Sequence, residues 1–445
     1  MRLSGSPRRE FALDVGFYLV SAVFAAATAV FSEFYGYRIW GALAGIAYLV
    51  GLIQAVLLFA GRVRPATGRI GRVLTSRMMP VWLTAGLGMV LPLVVLLIRR
   101  LQGVAWSEQP EVWVIEQSAT RLLHTGSPYT DLATLGRPPI VDDYTPYGVA
   151  MSVFGIPRAL FGISALTDAR VAFGLFSALI VFVALRVLRR PKVPIRAAQL
   201  ILACPLTTLV FAVAGDDLVI VALILLALAL LYRRRPVWCG GVIAVAVSIK
   251  LTASPALIVL AVAVFGILGL RSLLRFCAAV IVVGIAVTVP VMLIDPHNFV
   301  EQVIKFPLGI GIAHSPAQSP LPGVLIGQLG PAGHDVALAL MCAVAVGIGC
   351  WLVIRPPRSA SDAALRSAIG LGLAILLSPA TRYGYLIYPL ALFGAAITLR
   401  AMENQDTGDD SAAEDRLEVG EAPQLGLAFQ RPLVVEGRPV RGVGQ

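Results

Sequence analysis

Long apolar runs recur along this chain, and no other feature limits its fold so strongly. Runs of about 17–25 apolar residues can cross a hydrocarbon core of roughly 30 Å. Inside that core every backbone polar group needs an internal partner, so only helices and closed barrels are admissible. A barrel requires alternating strands of about ten residues, and these runs do not alternate. The chain is therefore expected to be an all-α polytopic membrane protein. Its 14% charged content, against roughly 25% in soluble domains, agrees.

Twelve spans are expected, near residues 11–32, 39–61, 80–98, 168–188, 198–214, 217–232, 238–250, 254–270, 273–294, 335–354, 366–378 and 383–400. The pair 238–250 and 254–270 is short and is kept because the parity of the topology needs it. Arginine-rich loops at 61–77, 186–196, 233–236, 270–275 and 355–366 place that end, and both termini, in the cytoplasm by the positive-inside rule. Arg99 and Arg100 depart from the rule. Two large loops, about 99–167 and 295–334, then lie outside. Residues 401–445 carry no apolar periodicity and are expected to be a disordered cytoplasmic tail. The net charge of +11 belongs to these loops; no recognition helix, zinc pattern or aromatic platform points to nucleic acid. The basic N-terminus precedes a run with no convincing cleavage site, so the first run reads as a retained helix. The five cysteines sit in or beside apolar runs and read as small core residues.

The first outer loop is where acidic residues gather. Pro110 suits the first turn of a helix, and Val112, Ile115, Ala119, Leu122 and Leu123 follow at helical spacing. An amphipathic helix on the outer membrane surface is expected. Glu111 and Glu116 stand at opposite margins of its stripe, with Glu108 just before it. A carboxylate in such a place is a candidate general base, although a solvated acidic face, or for Glu111 a partner of the helix dipole, explains it equally simply. The segment 149–162 reads as a second interfacial helix, with Arg158 facing lipid headgroups.

Elsewhere, Lys250 interrupts an apolar stretch, which marks it as a functional suspect or a snorkelling lysine. Arg382 stands at the outer end of a span among Tyr383, Tyr385 and Tyr388. Asp216 and Asp217 open a span as a helix cap or as substrate contacts. Asp142 and Asp143 precede Tyr144 and Tyr147 in a Pro/Tyr-rich stretch. The second loop holds Asp295, His297, Lys305 and His314, with no metal-ligand spacing; no tightly bound metal and no cofactor are expected.

The run Glu111, Val114, Ala119, Leu122, Leu123, Gly126, Tyr129, then Tyr144, Pro146 and Tyr147, resembles the GT-C glycosyltransferases. More narrowly it is similar to glycosyltransferase family 87, polyprenyl-phosphate-mannose-dependent mannosyltransferases of actinobacteria. "AGDDLVIVALILLALALLYRRRP", "GGVIAVAVSIKLTASP" and "LLSPATRYGYLIYPLAL" follow in the family's order. The resemblance spans about residues 80–400. It departs where the family usually has aspartate at the position of Glu111, a tyrosine at Ile115 and an amide near Gly215, and two spans precede the matching region.

What the resemblance implies is a GT-C-like fold in the plasma membrane and inverting transfer of a sugar, mannose foremost, from a polyprenyl-phosphate donor. The acceptor would be a glycolipid or cell-envelope glycan. Glu111 would be the base, with Glu116 next in rank. Lys250 and Arg382 would contact the donor phosphate, and Tyr144, Tyr147, Asp216, Asp217, Tyr383 and Tyr385 the substrates. A lipid or solute transporter, or a non-catalytic membrane scaffold, are the competing readings; the chain shows no repeat symmetry of the transporter kind.

Overall fold

The computed structural model describes residues 7–61, 68–313 and 316–418. Among these, ten helices are long and apolar enough to cross a membrane. Leaving aside two six-residue helices, Arg69–Leu74 and Pro322–Gly327, the helices in chain order are α1 (Pro7–Phe31), α2 (Tyr35–Phe59), α3 (Met79–Leu101), the loop helix α4 (Pro110–Thr125), a short apolar piece α5 (Val149–Phe161), α6 (Ala169–Val187) and α7 (Ile195–Val213). Then come α8 (Asp216–Tyr232), α9 (Pro236–Ile249), α10 (Ser254–Leu268), α11 (Leu270–Ile294), the short α12 (Pro296–Phe299, extended by a π-turn over Val300–Lys305), α13 (Pro331–Ile354), α14 (Ala360–Leu377) and α15 (Ile387–Glu418). The ten long helices match ten of the expected spans; the other two are α8 and α9, with 17 and 14 residues.

The polypeptide divides into two units, Met1–Ala401 and Met402–Gln445. The expected tail begins within a helix, since α15 runs to Glu418; residues 419–445 lie outside the described residues. Cys204 and Cys239 are buried, whereas Cys342 and Cys350 are exposed on α13, so only some of the cysteines are core residues.

Helix length shapes the end that carries the large loops. At 1.5 Å per residue, the 14 residues of α9 rise about 21 Å, well short of a roughly 30 Å core. α11 has 25 residues and α13 has 24. The α9–α10 turn carries Lys250 into a polar recess formed with Tyr147, Tyr385, Asp216 and Asp217. Gly215 makes the entry into α8 possible: its φ of +92° is a left-handed conformation that a side chain strains, and Phe173 closes over it. Gly148 presses the first loop onto the end of α9, its N–H donating to the Ile249 carbonyl at 3.0 Å. A Cβ there would meet the Ser248 carbonyl oxygen at 2.1 Å.

The two loops pack on each other. Gln302 accepts from the Thr145 N–H at 3.0 Å and donates to the Thr130 carbonyl at 2.7 Å. Ser127 donates to Asp295 at 2.8 Å. The first part of the amphipathic stripe of α4 is covered by protein: Val112, Ile115 and Ala119 are fully buried, whereas Leu123 at its end is exposed, and Ser118 meets Ser152 of α5 at 2.9 Å. Sequence periodicity identifies an apolar stripe but not what covers it.

An ion cluster fixes α4 in place. The Arg100 guanidinium, at the end of α3, grips both oxygens of Glu116 at 2.8 and 2.7 Å, Asp168 at 2.6 Å and Glu108 at 2.8 Å. Arg170 donates to both oxygens of Asp168 at 2.9 Å. Arg158 contributes a further contact to Glu116 at 3.2 Å, so it faces this cluster and not lipid headgroups. Arg100, an apparent exception to the positive-inside rule, is thus matched by three carboxylates.

Burial pushes the Asp168 carboxyl up, but Arg170 and Arg100 outweigh it and hold the carboxyl down at about 2. Replacing Arg100 by alanine leaves Glu108 without an ion pair and strips Glu116 and Asp168 of their closest one, with only Arg158 and Arg170 remaining to them; this should cost about 3 kcal/mol, read as a large loss of thermal stability in detergent. Because the Asp168 value is depressed on folding, its contribution is complete above about pH 4 and lost as pH falls toward about 2. The stability gap between wild type and Asp168→Asn should therefore shrink across that window; a gap that widens toward acid would contradict this.

Candidate active site

Glu111 sits in the first turn of α4, five positions before Glu116. At 3.6 residues per turn the two point about 140° apart, which is why they face different neighbours. Glu116 is turned into the Arg100 cluster and also accepts from the Ala169 N–H at 3.1 Å. Glu111 is turned into the recess, where its Oε1 pairs with Arg382. Its other oxygen, Oε2, is buried and has no hydrogen-bond partner. A buried acceptor left empty is costly, so this oxygen is suited to a hydroxyl donor.

Arg382 is held from one side only. Nη1 meets Glu111 and, at 3.2 Å, the Gln109 side-chain oxygen. No hydrogen bond occupies its Nε or Nη2 among the described residues. Burial lowers the basicity of this guanidinium, but Glu111 reverses the effect and the net shift is upward. The backbone behind Arg382 is pinned to the second large loop: Thr381 donates to the Ala317 carbonyl at 2.8 Å, and Ser319 donates to the Thr381 carbonyl at 3.0 Å. Gln109 in turn donates to the Tyr37 hydroxyl of α2.

Lys250 completes the floor. Its ammonium contacts Asp217 at 2.6 Å and Asp216 at 3.2 Å, both in the first turn of α8. It lies 5.3 Å from the centroid of the Tyr147 ring and 4.9 Å from that of Tyr385, within cation–π range. The Tyr388 hydroxyl donates to Asp217 at 2.7 Å. A buried ammonium is expensive unless paired, and this pairing explains why "GDD" and "SIK", 34 residues apart for Lys250 and Asp216, both carry charge. Lys250 is therefore engaged by two carboxylates, whereas Arg382 keeps more of its donors unspent.

Glu111, Arg382, Lys250, Asp216, Asp217, Tyr147 and Tyr385 thus come together from five separate segments. Others fall elsewhere. Tyr144 is buried between the loops, stacked on Phe306 at 4.5 Å and bonded to the Ala313 N–H at 3.3 Å. The Tyr383 ring is exposed. Asp143 pairs with Arg137 at 2.7 Å on the surface, and that arginine lowers its carboxyl. Lys305 pairs with Glu301 at 3.3 Å. His314 lies outside the described residues. Gln109 and Tyr37 carried no sequence signal of their own. No three His, Cys, Asp or Glu side chains among the described residues cluster closely enough to hold a metal ion.

Comparison with known proteins gives one finding. Residues 144–379 match glycosyltransferase family 87, a stretch that contains Tyr147, the aspartate pair and Lys250 but stops short of Arg382 and begins after Glu111. Neither a curated protein nor a solved structure matches. The matched region exceeds half of the 445 residues, and the chain belongs to glycosyltransferase family 87.

Proposed function

We propose that this membrane glycosyltransferase moves a sugar, mannose foremost, from a polyprenyl phosphate to an acceptor hydroxyl on the outer side of the plasma membrane, with both termini cytoplasmic. The acceptor fits a glycolipid or cell-envelope glycan. One observation carries the reading: a carboxylate with an empty buried oxygen stands beside an arginine with unspent donors.

The chemistry follows from those two groups. The acceptor oxygen attacks the anomeric carbon from the face opposite the phosphate. The bond from that carbon to the phosphate oxygen breaks, and its electron pair leaves on the phosphate. The acceptor proton passes to Glu111 Oε2. A displacement with one carboxylate base inverts the anomeric centre. Prenyl phosphate is a competent leaving group without an acid, so the site needs cationic donors for the phosphate oxygens. Arg382 supplies them. Asp216 and Asp217 hold Lys250 in place beneath Tyr147 and Tyr385, whose rings suit a sugar face. Glu116 belongs to the scaffold in this scheme and the base is Glu111 alone.

Transfer from a labelled polyprenyl-phosphate sugar should fall about 10²–10⁴-fold in Glu111→Gln, with the protein still folded. Transfer at the wild-type rate removes Glu111 as the base. Arg382→Lys keeps the charge and loses the planar fork, so its donor KM should rise about tenfold; an unchanged KM moves the phosphate away from Arg382.

A further inference from the structure

A cavity of about 270 Å³ lies against the catalytic recess and takes no part in the chemistry above. Its walls are Ala244 and Val247 of α9 and Val280 and Gly284 of α11, and Phe299 and Val303 of the second loop roof it. This lining suits hydrocarbon and offers a sugar almost nothing to bind. We propose that the cavity holds the phosphate-proximal isoprene units of the donor. The inference rests on the polyprenyl-phosphate reading and deepens it, by assigning the lipid to a gap between α9 and α11.

Three observations support this occupant. The cavity and the polar recess share a wall. Ser248 and Leu251 line the cavity, and Lys250 between them faces the recess; Gly148 lines the cavity, and its neighbour Tyr147 covers Lys250. The cavity is also open at its surface: Leu251, which lines it, is 44% exposed. Finally, there is room: a Cβ built on Gly284 meets nothing within 4 Å.

The chemistry distinguishes donor from acceptor. In a prenyl-phosphate sugar the hydrocarbon begins a single phosphate away from the carbon that reacts. An acceptor glycolipid carries its hydroxyl on a headgroup, farther from its tails. A hydrocarbon site sharing a wall with the reacting groups therefore fits the donor.

The test fills the cavity. Gly284→Phe should raise the KM for a polyprenyl-phosphate sugar at least about tenfold and weaken inhibition by a sugar-free polyprenyl phosphate to a similar degree, a change of about 1.4 kcal/mol in binding. Gly347→Phe on α13, where a Cβ also meets open space, serves as the control for bulk on a membrane helix. A donor KM that ignores Gly284→Phe overturns the proposal, as does a rise confined to the acceptor KM. Wild-type protein carrying a polyprenyl phosphate with a diazirine on its first isoprene unit provides a second readout that needs no variant. Labelling of α9 or α11 residues is expected, and labelling confined to other helices overturns the assignment. Failure of the wild type to use any polyprenyl-phosphate sugar sinks the donor reading itself. An active wild type with an indifferent Gly284→Phe sinks only the cavity.

Discussion

A charge below the membrane surface is tolerable only when another charge answers it, and the architecture here is arranged around that demand. Lys250 ends the 14-residue α9, and protein covers most of its side chain, so its ammonium lies where water is scarce. Asp216 and Asp217 answer it from the neighbouring helix, at 3.2 and 2.6 Å. That contact ties the end of α9 to the start of α8. It also sets the floor on which Tyr147, Tyr385 and Tyr388 pack. A recess with a polar floor results, and the first large loop is bonded to the end of α9 beside it.

A second group of ions does different work. Arg100, Arg158 and Arg170 face Glu108, Glu116 and Asp168, so three cations meet three carboxylates. This neutral cluster takes no part in the recess. It anchors α4 at both ends of its first turns, and the helix then has one way to aim Glu111. Buried ion clusters contribute little net stability compared with apolar packing, but they are strict about geometry. Orientation of one carboxylate is what the chemistry requires of this helix.

Much of the fold was legible beforehand. Apolar runs give helices because a bilayer admits little else, and the parity of basic loops recovered even the short α9–α10 pair. The loop helix was legible from Pro110 and its apolar spacing. The surroundings of that helix were not. An apolar stripe reads the same against lipid or against α5, and only the three-dimensional packing shows that Ile115 and Ala119 face protein. Within the site, Glu111 and Glu116 were equivalent on a helical wheel, because the wheel contains no arginines. Arg100 and Arg382 separate them, and they stand 11 and 271 positions away from Glu111 in the chain, the latter distance set by the Arg382–Glu111 contact. Lys250 was recognisable as out of place in an apolar stretch; that its partners were the aspartates of α8 depends on helix pairing, which composition does not encode. Gln109 and Tyr37 are ordinary polar residues, and their position alone gives them significance.

The most direct measurement is a structure with a non-hydrolysable prenyl-phosphonate sugar bound. The account predicts phosphonate oxygens at about 2.7–2.9 Å from the Arg382 guanidinium, and the face of the anomeric carbon opposite the phosphonate turned toward Glu111 Oε2. A phosphonate bound away from Arg382, or an anomeric carbon whose free face looks away from Glu111, would contradict it.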